Sequence, residues 1–150
     1  MIIQDTREKS PLSFAMFGID VVVRKLDTGD YTFGGFEDAV CIERKKSVSE
    51  LATNIGSDWK RFAAELERMK SFSHKYILCE FPLQDVYDYP NCECIPKYKR
   101  KYIRISSKFL LSRIEYIQDH YDIIFFFCNS STEAMEKVVE LYDEITKEPR

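Results

Sequence analysis

The chain has 150 residues, of which 45% are hydrophobic, 14% aromatic and 31% charged, with only 5 Gly and 5 Pro. That is the length of a single domain with enough large apolar side chains for a core, and it excludes collagen-like, low-complexity and disulfide-scaffold chains. With 22 basic against 25 acidic residues the net charge is −3, which excludes a uniformly basic polyanion binder.

No apolar run approaches the ~20 residues that cross a bilayer, so no membrane partner is expected. The opening Met1-Ile2-Ile3-Gln4-Asp5 lacks the basic and apolar regions of a signal peptide. Five cysteines, an odd number, read as reduced thiols. Together these predict a soluble intracellular protein, cytoplasmic in a cell or in the host cell of a virus.

In chain order, Ile2-Ile3 predicts a short strand that delivers Asp5-Thr6-Arg7-Glu8 at its end, and Phe14 to Gly18 a short helix. Val21-Val22-Val23 is β-branched and reads as a second strand. Gly29-Asp30-Tyr31-Thr32-Phe33 begins a third, with Gly34-Gly35 as a hairpin turn into a fourth over Ala39–Arg44. The period then changes to 3.6. Val48, Leu51, Ile55, Trp59, Phe62, Leu66 and Met69 mark one helical face, divided near Gly56-Ser57-Asp58, with Ser57 as the cap of the second helix. Tyr76–Phe81 predicts a strand stopped by Pro82, and residues 83–104 an irregular loop. Ser106 or Ser107 opens a helix, Ile123–Phe127 forms a buried strand, and Ser130 or Ser131 caps a last helix to about Thr146. This order predicts a single α/β domain over 1–150, a mixed central sheet with helices on both faces.

Three polar groups stand at strand ends: Asp5 to Glu8, Asp30, and Glu43-Arg44-Lys45. The period of two places Glu43 and Lys45 on one face of their strand. Carboxylates gathered beside an amine make a site for a hard cation such as Mg²⁺ or Mn²⁺. Such a cation lowers the pKa of a bound water, and the amine positions the nucleophile. A solvated strand end with ion pairs has the same spacing.

The words around these residues narrow the reading. Asp5-Thr6-Arg7-Glu8, Gly29-Asp30-Tyr31 and Ile42-Glu43-Arg44-Lys45-Lys46-Ser47 resemble, in this order, the signature of XPF-type nucleases of the PD-(D/E)XK class. Arg61-Phe62 and Glu65-Leu66-Glu67-Arg68-Met69 are similar to the helix of small bacterial and phage members. The resemblance implies a restriction-endonuclease-like fold and metal-dependent hydrolysis of DNA phosphodiester bonds in repair, recombination or replication, selective for branched or flap DNA. It implies Asp30 and Glu43 as metal ligands, with Asp5 and Glu8 extending the site. Lys45 is then the catalytic residue that orients the water, and Arg44 a catalytic phosphate contact. The family commonly has an acid six residues after the glutamate of its ERK motif, where this chain has Ser49. Glu50 follows one position late, so that Lys46 reads as an insertion.

Pro96 to Arg104 interleaves Tyr98 and Tyr102 with Lys97, Lys99, Arg100, Lys101 and Arg104. Cations there can neutralise phosphates while tyrosines stack on bases. Lys60 and Arg61 at the start of a helix, with Arg7, Arg44 and Lys46 beside the acids, complete the predicted DNA-binding set. Cys92 and Cys94 lack the second pair of a structural zinc site and read as free thiols. The resemblance also implies a homodimer, with the faces around Phe109–Ile117 and Met135–Ile145 as candidates. The competing reading is a catalytically silent DNA-binding or scaffold protein that keeps the fold.

Overall fold

The computed structural model describes residues 1–147. Six strands, β1 (Ile2–Gln4), β2 (Val21–Val23), β3 (Tyr31–Phe33), β4 (Val40–Lys45), β5 (His74–Cys79) and β6 (Ile124–Phe127), form one sheet. Their spatial order is β2-β1-β3-β4-β5-β6. β3 is antiparallel to both its neighbours, while β1 pairs parallel with β2, and β4, β5 and β6 run parallel. The parallel half requires helical crossovers, and the helical period after Lys45 supplies the first of them.

Alternation along the strands divides the core in two. Cys41 of β4, Ile77 and Cys79 of β5 and Phe125 of β6 face a cluster built with α1 (Val48–Ile55), α2 (Trp59–Met69) and α5 (Ser107–Tyr121). Val40 and Ile42, Tyr76 and Leu78 face the opposite cluster, which is closed by α6 (Ser131–Thr146) together with Leu12 and Phe14. The mixed sheet with helices on both faces is therefore as expected from the sequence.

Ser106 and Ser130 cap α5 and α6, each accepting a hydrogen bond from the backbone N–H three residues on, as their sequence positions imply. Three expectations need correction. The cap of α2 is Asp58 and not Ser57, and it makes no side-chain cap bond; its carboxylate is instead held by Arg61 at 2.7 Å. β5 starts at His74 and ends at Cys79, because the register with β4 starts at Val40–His74. Residues 83–104 hold two short helices, α3 (Leu83–Asp88) and α4 (Lys97–Arg100). Six and four residues are too few to show a 3.6 period, and their order comes from packing, with Val86, Tyr89, Cys92 and Ile95 all buried against the α1–α2–α5 side.

Candidate active site

β4 is the frame of the site. Its alternation turns Cys41, Glu43 and Lys45 toward α1 and α2, and turns Ile42 and Arg44 to the other face. Lys45 is buried, with its Nζ 3.3 Å from Glu43 Oε1 and 4.9 Å from the centroid of the Phe62 ring of α2. The ring's negative face favours the ammonium, so Lys45 is fixed from both sides.

Asp30 reaches Glu43 from the loop before β3. Gly29 makes that approach possible: its φ is +83°, and a Cβ there would stand 2.7 Å from Cys41 Sγ and 3.3 Å from the carbonyl oxygen of Ile42. Only glycine accepts both the conformation and the contact. The Asp30 N–H then donates to the Ile42 carbonyl at 2.8 Å, and Asp30 Oδ2 accepts from the Arg44 N–H at 2.8 Å.

Asp5, at the end of β1, accepts from Arg7 Nε and from the Leu26 N–H, both at 2.8 Å. Burial alone would raise its pKa, but these bonds hold it below the usual carboxylate value. Asp30 and Glu43 behave in the opposite way. Burial pushes Asp30 up to about 6, aided by the nearby charges of Glu8 and Asp5. Burial, then Asp30 and Glu65, push Glu43 up to about 8, against the pull of Lys45. Two carboxylates whose charge is this costly favour a bound cation.

A cleft of about 240 Å³ opens over them, lined by Asp5, Arg7, Asp30, Glu43, Glu65 and Arg68 among others. Among the described residues no three His, Cys, Asp or Glu side chains are grouped so as to hold a metal ion by themselves. The donor set nevertheless fits Mg²⁺ or Mn²⁺, since Mg²⁺ is commonly held by one or two carboxylates with water filling the other positions.

Other predicted residues lie elsewhere. Arg44 does not face the cleft. Its Nε and Nη2 donate to the Glu80 carboxylate at 2.8 and 2.9 Å, Nη1 lies 3.2 Å from Glu8 Oε2, and Nη1 also donates to the Ser10 carbonyl. Burial works against this charge, and the bonds to Glu80 and Glu8 hold it protonated. Glu8 is buried with Arg44 and with Lys46 at 3.3 Å, and is not among the residues that line the cleft. Strand alternation is the reason that a motif contiguous in sequence is split across the sheet. The phosphate contact expected of Arg44 and the metal contact expected of Glu8 are not what these positions offer.

Ser47 caps the start of α1, its Oγ accepting from the Glu50 N–H at 3.1 Å, and the Glu50 carboxylate accepts from the Lys46 N–H at 3.4 Å. Glu50 Oε1 also lies 3.8 Å from Lys45 Nζ. Glu50 is thus engaged with Lys45 and the start of α1 and is not among the residues that line the cleft.

Arg61 is held by Asp58 and by Glu65 at 2.6 Å, whereas Lys60 is exposed. On α4, Arg100 donates to the carbonyls of Ile95 and Cys92 at 3.1 and 2.9 Å. Lys97, Lys99, Lys101 and Arg104 are exposed.

Glu65 and Arg68 line the cleft and were missing from the predicted set. Glu65 lies three residues after Phe62 and four before Met69, both buried. An acid inside the inward arc of a helix was the signal that marked it.

Known proteins share this fold and sequence pattern. Residues 4–141 match the ERCC4 domain. The chain is similar in structure to XPF from Aeropyrum pernix in complex with DNA, with a TM-score of 0.72 and 21% identity, covering 97% of this chain and 64% of that one. It is similar to XPF from Aeropyrum pernix without DNA at a TM-score of 0.72 and 19% identity, covering 97% and 65%. The chain thus spans somewhat less than two thirds of those structures. No curated protein sequence matches it. With nearly its whole length matched, the chain belongs to the ERCC4 domain family.

Proposed function

We propose that the protein is a divalent-metal-dependent endonuclease that hydrolyses DNA phosphodiester bonds. The observation that carries the reading is that two charge-frustrated carboxylates, Asp30 and Glu43, line one cleft, with the buried Lys45 against Glu43 behind it. A silent scaffold has no need to keep like charges together at this cost.

In this reading Asp30 and Glu43 hold Mg²⁺ or Mn²⁺, which when bound supplies an activated water and compensates charge developing on the phosphate. Lys45 is a positioning and electrostatic group: Glu43 and the Phe62 ring fix its ammonium, so it stabilises charge without reorganising. Arg7, anchored by Asp5 and by the Leu26 carbonyl at 2.8 Å, and Arg68 place cations at the cleft wall where a phosphate backbone would pass. The exposed cations of 97–104 extend that path. The capture of Aeropyrum pernix XPF with DNA supports DNA as the substrate, with branched or flap DNA in repair or recombination as the preferred form. Two copies acting together remain part of this reading.

The test is incubation of the purified protein with duplex, single-stranded, flap and branched DNA in Mg²⁺, Mn²⁺ or EDTA. Cleavage is expected with either metal and none in EDTA. Asp30→Asn should abolish it, and Lys45→Ala should lower the rate in a way that added Mg²⁺ does not restore. Full activity of Asp30→Asn would remove the assignment.

A further inference from the structure

A second groove, of about 500 Å³, lies at the far end of α1 from Lys45. Ala52 of α1 and Gly56, the residue that ends it, line one side, and the chain between α4 and α5 lines the other with Tyr102, Ile103, Arg104 and Ile105. Phe109 of α5 stands at its rim. Gly56 allows this closure, because a Cβ there would lie 2.0 Å from Ile105 Cδ1 and 3.1 Å from the Ala52 carbonyl oxygen.

Two features distinguish the groove from an ordinary surface cleft. First, it presents large rings to solvent: Tyr102 is 71% and Phe109 40% exposed. Lys101 Nζ lies over the Tyr102 ring, 5.2 Å from its centroid, so one face of the ring is covered by a cation and the other remains for a planar partner. Second, residues 95–108 carry six cations, Lys97, Lys99, Arg100, Lys101, Arg104 and Lys108, and no acid. Among the described residues none of the six forms a salt bridge.

Aromatic faces beside free cations suit a chain that offers both flat rings and phosphates. In a duplex the bases are stacked on one another and their faces are closed, so only an unpaired strand can use the rings. We propose that this groove is a binding site for unpaired single-stranded DNA, with a base stacked on Tyr102 and the neighbouring phosphates held by Arg104 and Lys101. The inference rests on the nuclease reading and deepens it. The site would favour DNA with an unpaired strand over intact duplex.

Binding is measured by fluorescence anisotropy of the whole protein in EDTA, with labelled oligo-dT and a blunt duplex as probes, so that cleavage plays no part. Tyr102→Ala should weaken oligo-dT binding at least about fivefold, the effect of losing one stacked base. Duplex affinity should stay unchanged, and Tyr102→Phe should bind oligo-dT within about twofold of the parent. Phe109→Ala provides a second variant at the rim, with the same selective loss expected. Equal losses for duplex and oligo-dT, or no loss for either, would overturn the groove. If the parent binds duplex but not oligo-dT, the groove is overturned and the nuclease reading stands; absence of metal-dependent cleavage overturns that reading without touching the binding result.

Discussion

Glu43 and Asp30 are held where burial and neighbouring carboxylates outweigh the pull of Lys45 on their charge, and this has a measurable cost in the metal-free protein. Their folded-state pKa values, about 8 and about 6, lie above the ordinary 4.5 and 3.8. Between about pH 4 and 8 the folded chain therefore binds more protons than the unfolded one, and stability falls as pH rises through that window. Thermal melts in EDTA should show Tm decreasing from pH 5 to pH 8. Mg²⁺ should raise Tm far more at pH 8 than at pH 5, by several degrees at a hundred times its Kd, since such binding adds about 2.7 kcal/mol. Glu43→Gln removes the charge while keeping the shape, so the variant should be more stable than the parent at pH 8, flatter with pH, and inactive. A Glu43→Gln melt with the parent's pH slope would place the frustration elsewhere.

At the scale of elements, β4 shows how a strand distributes one motif over two tasks. Glu43 lines the cleft with Lys45 buried beside it on the same side of the strand, while Arg44 closes a buried ion cluster with Glu80 and Glu8 on the other side. Arg44 touches the site through its backbone, whose N–H fixes Asp30. Arg44→Met should therefore strand two buried carboxylates and destabilise the protein by about 3–5 kcal/mol, lowering Tm by roughly 10 °C in calorimetry, with DNA affinity of the folded protein nearly unchanged. An unchanged Tm with weakened DNA binding would restore the phosphate role. The segment around α4 permits a parallel test. Arg100 is tied to two carbonyls, so the phosphate contacts fall to its neighbours. Lys99→Ala with Lys101→Ala should flatten the salt dependence of DNA binding by about 1.5–2 units of slope, while Arg100→Ala should mainly loosen the segment. Affinity measured against salt concentration distinguishes them.

For the whole molecule, the sheet separates the two surfaces expected to mediate pairing. The apolar stripe of α6, Ala134, Val138, Leu141 and Ile145, is buried on its own sheet, which leaves little of that helix for a partner. The outer face of α5 is different. Tyr116 remains about two-fifths exposed, and Arg113 lies against its ring, with its guanidinium 4.1 Å from the Trp59 ring centroid. Aromatic and arginine side chains of this kind are enriched at interface centres. If two copies pair, they pair through α5: light scattering should give twice the 17.7 kDa chain mass, and Tyr116→Glu should return it to one. A parent that stays at the single-chain mass at high micromolar concentration would end that expectation.

Much of this was legible in the sequence, for reasons that differ by element. The strands at Ile2, Val21, Tyr31 and Ile124, and the helices capped by Ser106 and Ser130, carry their own periodicity and capping chemistry, which act over a few residues. The side shared by Glu43 and Lys45 follows from the period of two alone. Asp30 and Glu43 were named from motif words; their meeting depends on Gly29 crossing β4, which sequence marks only as a glycine. The rest required the third dimension. The segment around α3 is ordered because Val86, Cys92 and Ile95 find a core to enter, and no local pattern encodes a core supplied by distant residues. Glu80 lies 36 residues from Arg44, yet it takes the guanidinium that the motif suggested for phosphate. Local physics determined which elements form and which faces they show; only the packed sheet decided which charges meet, because electrostatic partners are chosen by distance in space and not along the chain.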